Sequence, residues 1–147
     1  MDNRRRKFIE QSVAASVASL LTPSLLFAEW PQDAFEKTDL EEALAAISQG
    51  SPGNGDITLV APKIAENGAQ VRVEVQAKVD NVEWISILVD KNPVPLTSQF
   101  LMMGESEPYI ATNIKVRETS NVIALVKADG RYYSVSQEVK VTAGGCG

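Results

Sequence analysis

A strict alternation of apolar and polar residues in the middle of the chain constrains the fold most. Between residues 71 and 79 every second residue is valine or alanine, and charged or amide side chains lie between them. Side chains of a strand point alternately to its two faces, so this pattern predicts a strand with one face in a core and one face in solvent. Such a strand needs pairing partners, and the sequence therefore predicts a fold built on sheets.

Further strand-like runs lie on both sides of this one. They cover residues 57–60, 84–89, 100–103, 110–116, 122–128 and 131–142. Asp129 and Gly130 separate the last two runs, and an Asp-Gly pair between β-rich segments is a strong signal of a hairpin. About seven strands at this spacing, without an internal repeat, predict a mainly β fold, an immunoglobulin-like antiparallel β-sandwich.

One helix is expected before the strands. Apolar residues recur at three- and four-residue steps over residues 33–47, and Gly50 ends the pattern. Residues 51–55, Ser-Pro-Gly-Asn-Gly, then form a loop. Because 147 residues suit one domain, we expect a single β-sandwich domain over residues 29–142 with an N-terminal helix, followed by a C-terminal tail.

The first 28 residues have the features of an export signal. A basic segment that contains Arg5 and Arg6 precedes an apolar stretch over residues 13–27, which is too short to span a bilayer. Residues 5–9, Arg-Arg-Lys-Phe-Ile, resemble the twin-arginine export signal, and an ordinary secretion signal or an amphipathic helix is the alternative. Twin-arginine export implies that the protein crosses folded into a bacterial periplasm. Export after folding usually serves a cofactor or a partner, and the sequence shows no cofactor ligands, so we expect a bound partner subunit.

The charge and the missing residue types exclude several functions. The formal net charge of −5 argues against a general binder of nucleic acid or of anionic membranes. Without any histidine, neither histidine-based acid–base catalysis nor imidazole ligation of a metal is possible. One cysteine permits neither an internal disulfide nor a multi-thiolate cluster. The acidic residues form no catalytic motif, so we expect no catalytic residue, no metal and no cofactor.

The single cysteine lies between glycines at the end of the sequence. Gly144, Gly145 and Gly147 surround Cys146, and the lack of Cβ atoms gives this tail wide backbone freedom. Five extended residues, 143–147, reach roughly 16–18 Å. A thin, mobile carrier arm suits a thiol that enters narrow sites on other proteins. On the residues alone, a disulfide to another chain and a cysteine without a role are the alternatives.

Seven segments carry a resemblance to a known family. They are the twin-arginine leader, Trp30-Pro31, the four segments at residues 57–68, 91–93, 118–122 and 126–130, and the Gly-Gly-Cys-Gly end. Together they resemble SoxY, the carrier subunit of the periplasmic sulfur-oxidising (Sox) system. The family tail usually has one more glycine after the cysteine than this chain has.

The resemblance implies a relay in which Cys146 carries sulfur covalently and the chain itself supplies no catalysis. A haem-containing loading enzyme would join thiosulfate to the cysteine, and a dimanganese hydrolase would release sulfate. A molybdenum–haem sulfane dehydrogenase, where present, would oxidise the remaining sulfur. The resemblance also implies a heterodimer with a SoxZ-like subunit. Lys140, the nearest cation in sequence, is six positions from Cys146, so we expect the docked enzyme to activate the thiol.

Two questions stay open at the level of sequence. The apolar run at residues 100–103 either presents one face to the core and the other to a partner, or forms a fully buried central strand. The whole chain could also be an immunoglobulin-like assembly or adhesion subunit whose cysteine forms an intermolecular disulfide.

Overall fold

A computed structural model describes residues 31–104 and 106–142 of the chain. A short 3-10 helix (Gln32–Glu36) and helix α1 (Leu40–Ile47) come before the strands. The strands are β1 (Ile57–Val60), β2 (Ile64–Ala65), β3 (Val71–Ala77), β4 (Val82–Val89), β5 (Leu96–Leu101), β6 (Tyr109–Ile114), β7 (Ser120–Ala128) and β8 (Arg131–Val141). The predicted export signal, residues 1–28, lies outside the described residues, so that prediction stays a prediction.

The strands form two sheets that share one buried core. The first sheet has the order β1-β3-β6, and the second has the order β2-β8-β7-β4-β5. Val73 of the first sheet belongs to the same buried apolar cluster as Ile85 and Val126 of the second. The prediction of a mainly β, immunoglobulin-like sandwich is confirmed. The described residues contain eight strands rather than about seven, because β2 has two residues and leaves no periodic pattern in the sequence.

The outer face of the five-stranded sheet is covered by the helices. Along β4, Ile87 and Val89 face the other sheet, while Leu88 between them joins a second buried cluster with Leu125 of β7. Ala43 and Ile47 of α1 complete that cluster. The central parts of β4 and β7 are therefore buried on both faces, which explains why residues 87–89 of β4 are all apolar.

The predicted helix over residues 33–47 is wrong in its first half, because the chain is extended at Lys37 and Asp39. The Asp39 carboxylate accepts hydrogen bonds from the backbone N–H groups of Glu41, at 2.8 Å, and Glu42, at 3.1 Å. An aspartate in this arrangement caps a new helix, so α1 begins after it.

No helix in the described part of the chain is long and apolar enough to cross a membrane.

The predicted hairpin between β7 and β8 is confirmed. Asp129 and Gly130 both have positive φ, at 49° and 69°, as a two-residue turn of this kind requires. The N–H of Gly130 donates to the Glu83 carboxylate, which also binds the Lys127 ammonium at 2.7 Å. The hydrogen bond from Lys127 holds the pKa of the Glu83 carboxyl below its usual value. These contacts join β4 to the hairpin.

The apolar run at residues 100–103 lies at an edge of the five-stranded sheet. Strand β5 begins earlier than predicted and ends at Leu101. Phe100 and Met102 pack against the core between the sheets, while Leu101 and Met103 are 42% and 79% exposed. The interpretation as a fully buried central strand is therefore wrong. Contact of the exposed residues with a partner stays a prediction.

Candidate functional site

The predicted attachment residue Cys146 and the arm glycines Gly144, Gly145 and Gly147 lie outside the described residues. The last described residue is Thr142, directly after β8. The end of β8 at Val141 is therefore the described point that leads into the predicted carrier arm at residues 143–147. We call the residues that hold this point the arm root. They are the three segments at residues 63–68, 115–121 and 139–142.

Strand β2 holds one edge of the arm root. It pairs in parallel with the end of β8, with Ile64 opposite Lys140 and Ala65 opposite Val141. The Lys140 N–H donates to the Lys63 carbonyl at 3.0 Å, and the Thr142 N–H donates to the Ala65 carbonyl at 3.1 Å. Backbone hydrogen bonding on this edge thus continues to the last described residue.

Thr119 holds the opposite edge. The backbone ladder between β7 and β8 ends with Ser120 opposite Val139. Beyond that pair, the Val141 N–H donates to Thr119 Oγ1 at 3.1 Å. The threonine side chain therefore replaces a backbone acceptor where β7 no longer provides one. The N–H groups of Lys140 and Thr142 are thus bonded on the β2 edge, and the N–H group of Val141 between them is bonded to Thr119 on the other edge.

Gly68 allows the turn after β2 to approach the arm root closely. Its carbonyl accepts a hydrogen bond from the Val116 N–H at 2.7 Å. A Cβ atom on Gly68 would overlap the Val116 carbonyl oxygen and would lie 3.1 Å from Cγ1 of Val141. Glycine is therefore required here for space. The turn that Glu66-Asn67-Gly68 predicts is present, with Asn67 Oδ1 accepting from the Ala69 N–H at 2.9 Å.

The loop after β4 holds the connection between β6 and β7. Asn92 donates through Nδ2 to the Lys115 carbonyl at 2.7 Å, and its Oδ1 accepts from the Arg117 N–H at 3.0 Å. The Asp90 carboxylate accepts from both the backbone N–H and the side-chain amide of Asn121, at 2.9 and 2.8 Å. Residues 115–121 are thus bonded from the side that faces away from β8.

Three of the segments on which the family resemblance rests meet in this network. Residues 57–68 supply β2 and Gly68, residues 91–93 supply Asn92, and residues 118–122 supply Thr119 and Asn121. Sequence reasoning recognised these segments but did not assign them a role. Their hydrogen bonds join positions far apart in the sequence and produce no periodicity that could have revealed them.

A groove of about 410 Å³ lies beside the arm root. It is lined by Lys63, Ile64, Gln137, Glu138 and Lys140. Ile64 is 61% exposed, so the groove combines an apolar side chain with two ammonium groups and one carboxylate. Gln137 holds the segment between β1 and β2 in place, because its Nε2 donates to the Ala61 carbonyl at 2.6 Å.

Among the described residues, no group of three or more histidine, cysteine or acidic side chains is placed to hold a metal ion.

Residues 42–146 match the family described as "Sulfur oxidation protein SoxY". The chain belongs to the SoxY family. The match covers more than two thirds of the 147 residues and includes the arm root and Cys146. The family resemblance predicted from the seven segments is therefore confirmed.

A solved SoxY structure has the same fold. It is the sulfur carrier protein SoxY from Chlorobium limicola f thiosulfatophilum, 33% identical, with 71% of this chain and 97% of that chain covered and a TM-score of 0.64. One chain of a structure described as "Structural basis of T cell specificity and activation by the bacterial superantigen toxic shock syndrome toxin-1" is 10% identical, with 58% of this chain and 99% of that chain covered, and its TM-score of 0.40 is too low to indicate a shared fold. No curated protein matches the sequence significantly.

The close approach at Gly68 generates a test of the arm root. We expect Gly68→Ala to lower the free energy of unfolding by about 1–3 kcal/mol, because the backbone at Val116 must move to admit the new methyl group. Gly53→Ala is the matched control, since a Cβ there would lie 3.9 Å from its nearest neighbour, the Tyr132 carbonyl oxygen. Its stability should be unchanged or higher by up to about 1 kcal/mol. Urea unfolding measures both variants, and equal losses would contradict the packing argument.

Proposed function

We propose that the chain is a covalent carrier of sulfur in thiosulfate oxidation and that Cys146 is the attachment residue. The observation that carries this proposal is the family match over residues 42–146, because it includes the single cysteine of the sequence. The similarity to the Chlorobium protein, which is described as a sulfur carrier, supports it. The alternative of an adhesion or assembly subunit has no observation in its favour.

The proposed chemistry begins with an oxidative loading step. The Cys146 thiol loses its proton, its sulfur bonds to the terminal sulfur of thiosulfate, and two electrons pass to the haem-containing loading enzyme. Water then attacks the sulfonate group in the dimanganese hydrolase, which releases sulfate and leaves a persulfide on the cysteine. Where a molybdenum–haem dehydrogenase is present, it oxidises the outer sulfur to a sulfonate, with three water molecules supplying the oxygens and six electrons passing to that enzyme. A second hydrolysis then releases sulfate and restores the thiol. The carrier chain contributes the thiol and its placement.

Residues 143–147 serve as the carrier arm in this proposal. The arm follows Thr142, whose N–H is bonded to the Ala65 carbonyl, and three of its five residues are glycines. A short free segment on a fixed root keeps the thiol at a high effective concentration near a docked enzyme. The same segment, at roughly 16–18 Å when extended, is long enough to enter an active-site channel.

The carrier is proposed to act in the periplasm as a heterodimer with a SoxZ-like subunit. The twin-arginine pattern at Arg5 and Arg6 supports export of a folded protein. The exposed Leu101 and Met103 at the β5 edge support a partner surface, because large apolar side chains at an open sheet edge are usually covered by another chain.

Replacement of the attachment residue tests the function directly. We expect Cys146→Ser to fold and to bind its partner like the wild type, because the substituted side chain lies beyond the last strand. Thiosulfate-dependent sulfate release in a reconstituted Sox system should fall to background, since the hydroxyl cannot form the sulfur–sulfur bond. Sulfur adducts on the C-terminal peptide, seen by intact-mass and peptide mass spectrometry, should be present only in the wild type. Retained turnover of the serine variant would refute the carrier assignment.

The arm glycines generate a second test. Gly145→Val adds a branched side chain beside Cys146 and restricts the backbone. Alkylation of the thiol by iodoacetamide should stay near the wild-type rate, because a small reagent needs no channel. Loading by the haem-containing enzyme should become at least tenfold slower, an effect of about 1.4 kcal/mol on the barrier. The decisive quantity is the ratio of the two rates, and an unchanged ratio would remove access as the reason for the glycines.

Export is tested separately. The double variant Arg5→Lys with Arg6→Lys should keep the precursor in the cytoplasm, because the twin-arginine pathway requires its arginine pair. Fractionation followed by detection of the precursor and mature forms measures the effect, with the single-site variant Lys7→Arg as a charge-preserving control. Normal delivery of the double variant to the periplasm would show that another pathway exports the protein.

A further inference from the structure

The last residues of β8 depend on one side-chain acceptor. Where the β7 ladder has ended, the Val141 N–H is bonded to the half-buried Thr119 hydroxyl, while the Thr142 N–H is bonded on the other edge to Ala65. Loss of the threonine oxygen would leave Val141 without a protein acceptor on that edge. The end of β8 would then be held by β2, which has two residues.

Thr119 lies in a segment whose backbone is held by hydrogen bonds to other parts of the chain. Asn92 bonds the backbone of Lys115 and Arg117, Gly68 bonds the backbone of Val116, and Asp90 bonds Asn121. These contacts lie on both sides of Thr119 in sequence. They fix the backbone on which its hydroxyl is mounted, so the acceptor has a defined position relative to β8.

We propose that Thr119 is a positioning residue of the carrier reaction: its hydroxyl fixes the residue at which the arm leaves the sheet. This inference rests on the proposed function, because it concerns the delivery of Cys146. Thr119 does not contact the sulfur carried on Cys146 in this proposal. It acts through Val141, by limiting the free segment to residues 143–147.

The length of the free segment matters because it sets the effective concentration of the thiol at a docked enzyme. That concentration falls roughly as the −3/2 power of linker length once the linker exceeds the span. If residues 140–142 joined the five arm residues, the free segment would have about eight residues, and the thiol would be diluted about twofold. Docking itself would not change, since the sheet surface stays intact. The turnover number of loading should therefore fall, while the KM for the carrier should stay unchanged.

The test compares Thr119→Val with Thr119→Ser in the full-length chain and its partner complex. Valine has nearly the shape of threonine but no acceptor, and serine keeps the oxygen. Thr97→Val is the matched control. Thr97 lies in β5, three strands away from β8, and its hydroxyl donates to the Ile87 carbonyl of β4 at 2.8 Å. Each valine variant thus loses one threonine hydrogen bond from the same sheet.

We expect the Val141 and Thr142 amides of Thr119→Val to exchange hydrogen about tenfold faster, which corresponds to loss of one hydrogen bond. The turnover number of loading should fall about twofold, with KM and iodoacetamide alkylation of Cys146 unchanged. Thr119→Ser and Thr97→Val should match the wild type in all of these. Unchanged exchange at Val141, or faster exchange with an unchanged turnover number, would overturn the positioning role.

The Cys146→Ser chain, run in the same assay, separates this inference from the function on which it rests. If the wild type is loaded and the serine chain is not, the carrier function stands whatever Thr119→Val does. If the wild type takes up no sulfur from thiosulfate and the loading enzyme, the carrier function and the positioning role both fail.

Discussion

Burial of β4 and β7 on both faces is the constraint on which the rest of the structure depends. Their inward side chains, such as Ile85 and Val126, fill the core with the three-stranded sheet, and their outward side chains, Leu88 and Leu125, anchor the helical layer. Full burial of each such side chain stabilises the fold by about 1.5–3 kcal/mol. Three layers are thereby held by one central strand pair, and β8 takes its place in the sheet from its long ladder with β7.

The order of the five-stranded sheet separates two surfaces. The arm root lies at the edge formed by β2 and β8, and the exposed apolar residues Leu101 and Met103 lie at the β5 edge. Three strand spacings separate β8 from β5, which corresponds to about 14 Å. A subunit bound along β5 would therefore leave the arm root open to visiting enzymes. If the chain acts as proposed, a permanent partner at the β5 edge would leave Cys146 accessible to the enzymes that use it.

The arm root also shows how a small number of weak interactions can define a boundary in the chain. Each hydrogen bond contributes only about 0.5–1.5 kcal/mol, yet those at Lys140, Val141 and Thr142 follow one another on alternate edges of β8. Ordering one backbone residue costs about 1–2 kcal/mol, so bonding on both edges is needed to keep the last residues of the strand ordered.

The sequence by itself determined the features that depend on neighbours along the chain. The alternation of β3, the Asp129-Gly130 hairpin and the glycine-flanked Cys146 are local patterns, and a resemblance carried by short segments identified the family. The start of α1 is set by the Asp39 cap, and the apolar period across residues 33–47 does not reveal it. Only the tertiary structure decided that β5 is an edge strand, that β2 pairs with β8, and that Asn92, Gly68 and Thr119 converge on the arm root. These contacts join residues that lie 22 or more positions apart, as between Thr119 and Val141, and a pairing over that distance leaves no periodic trace in the sequence.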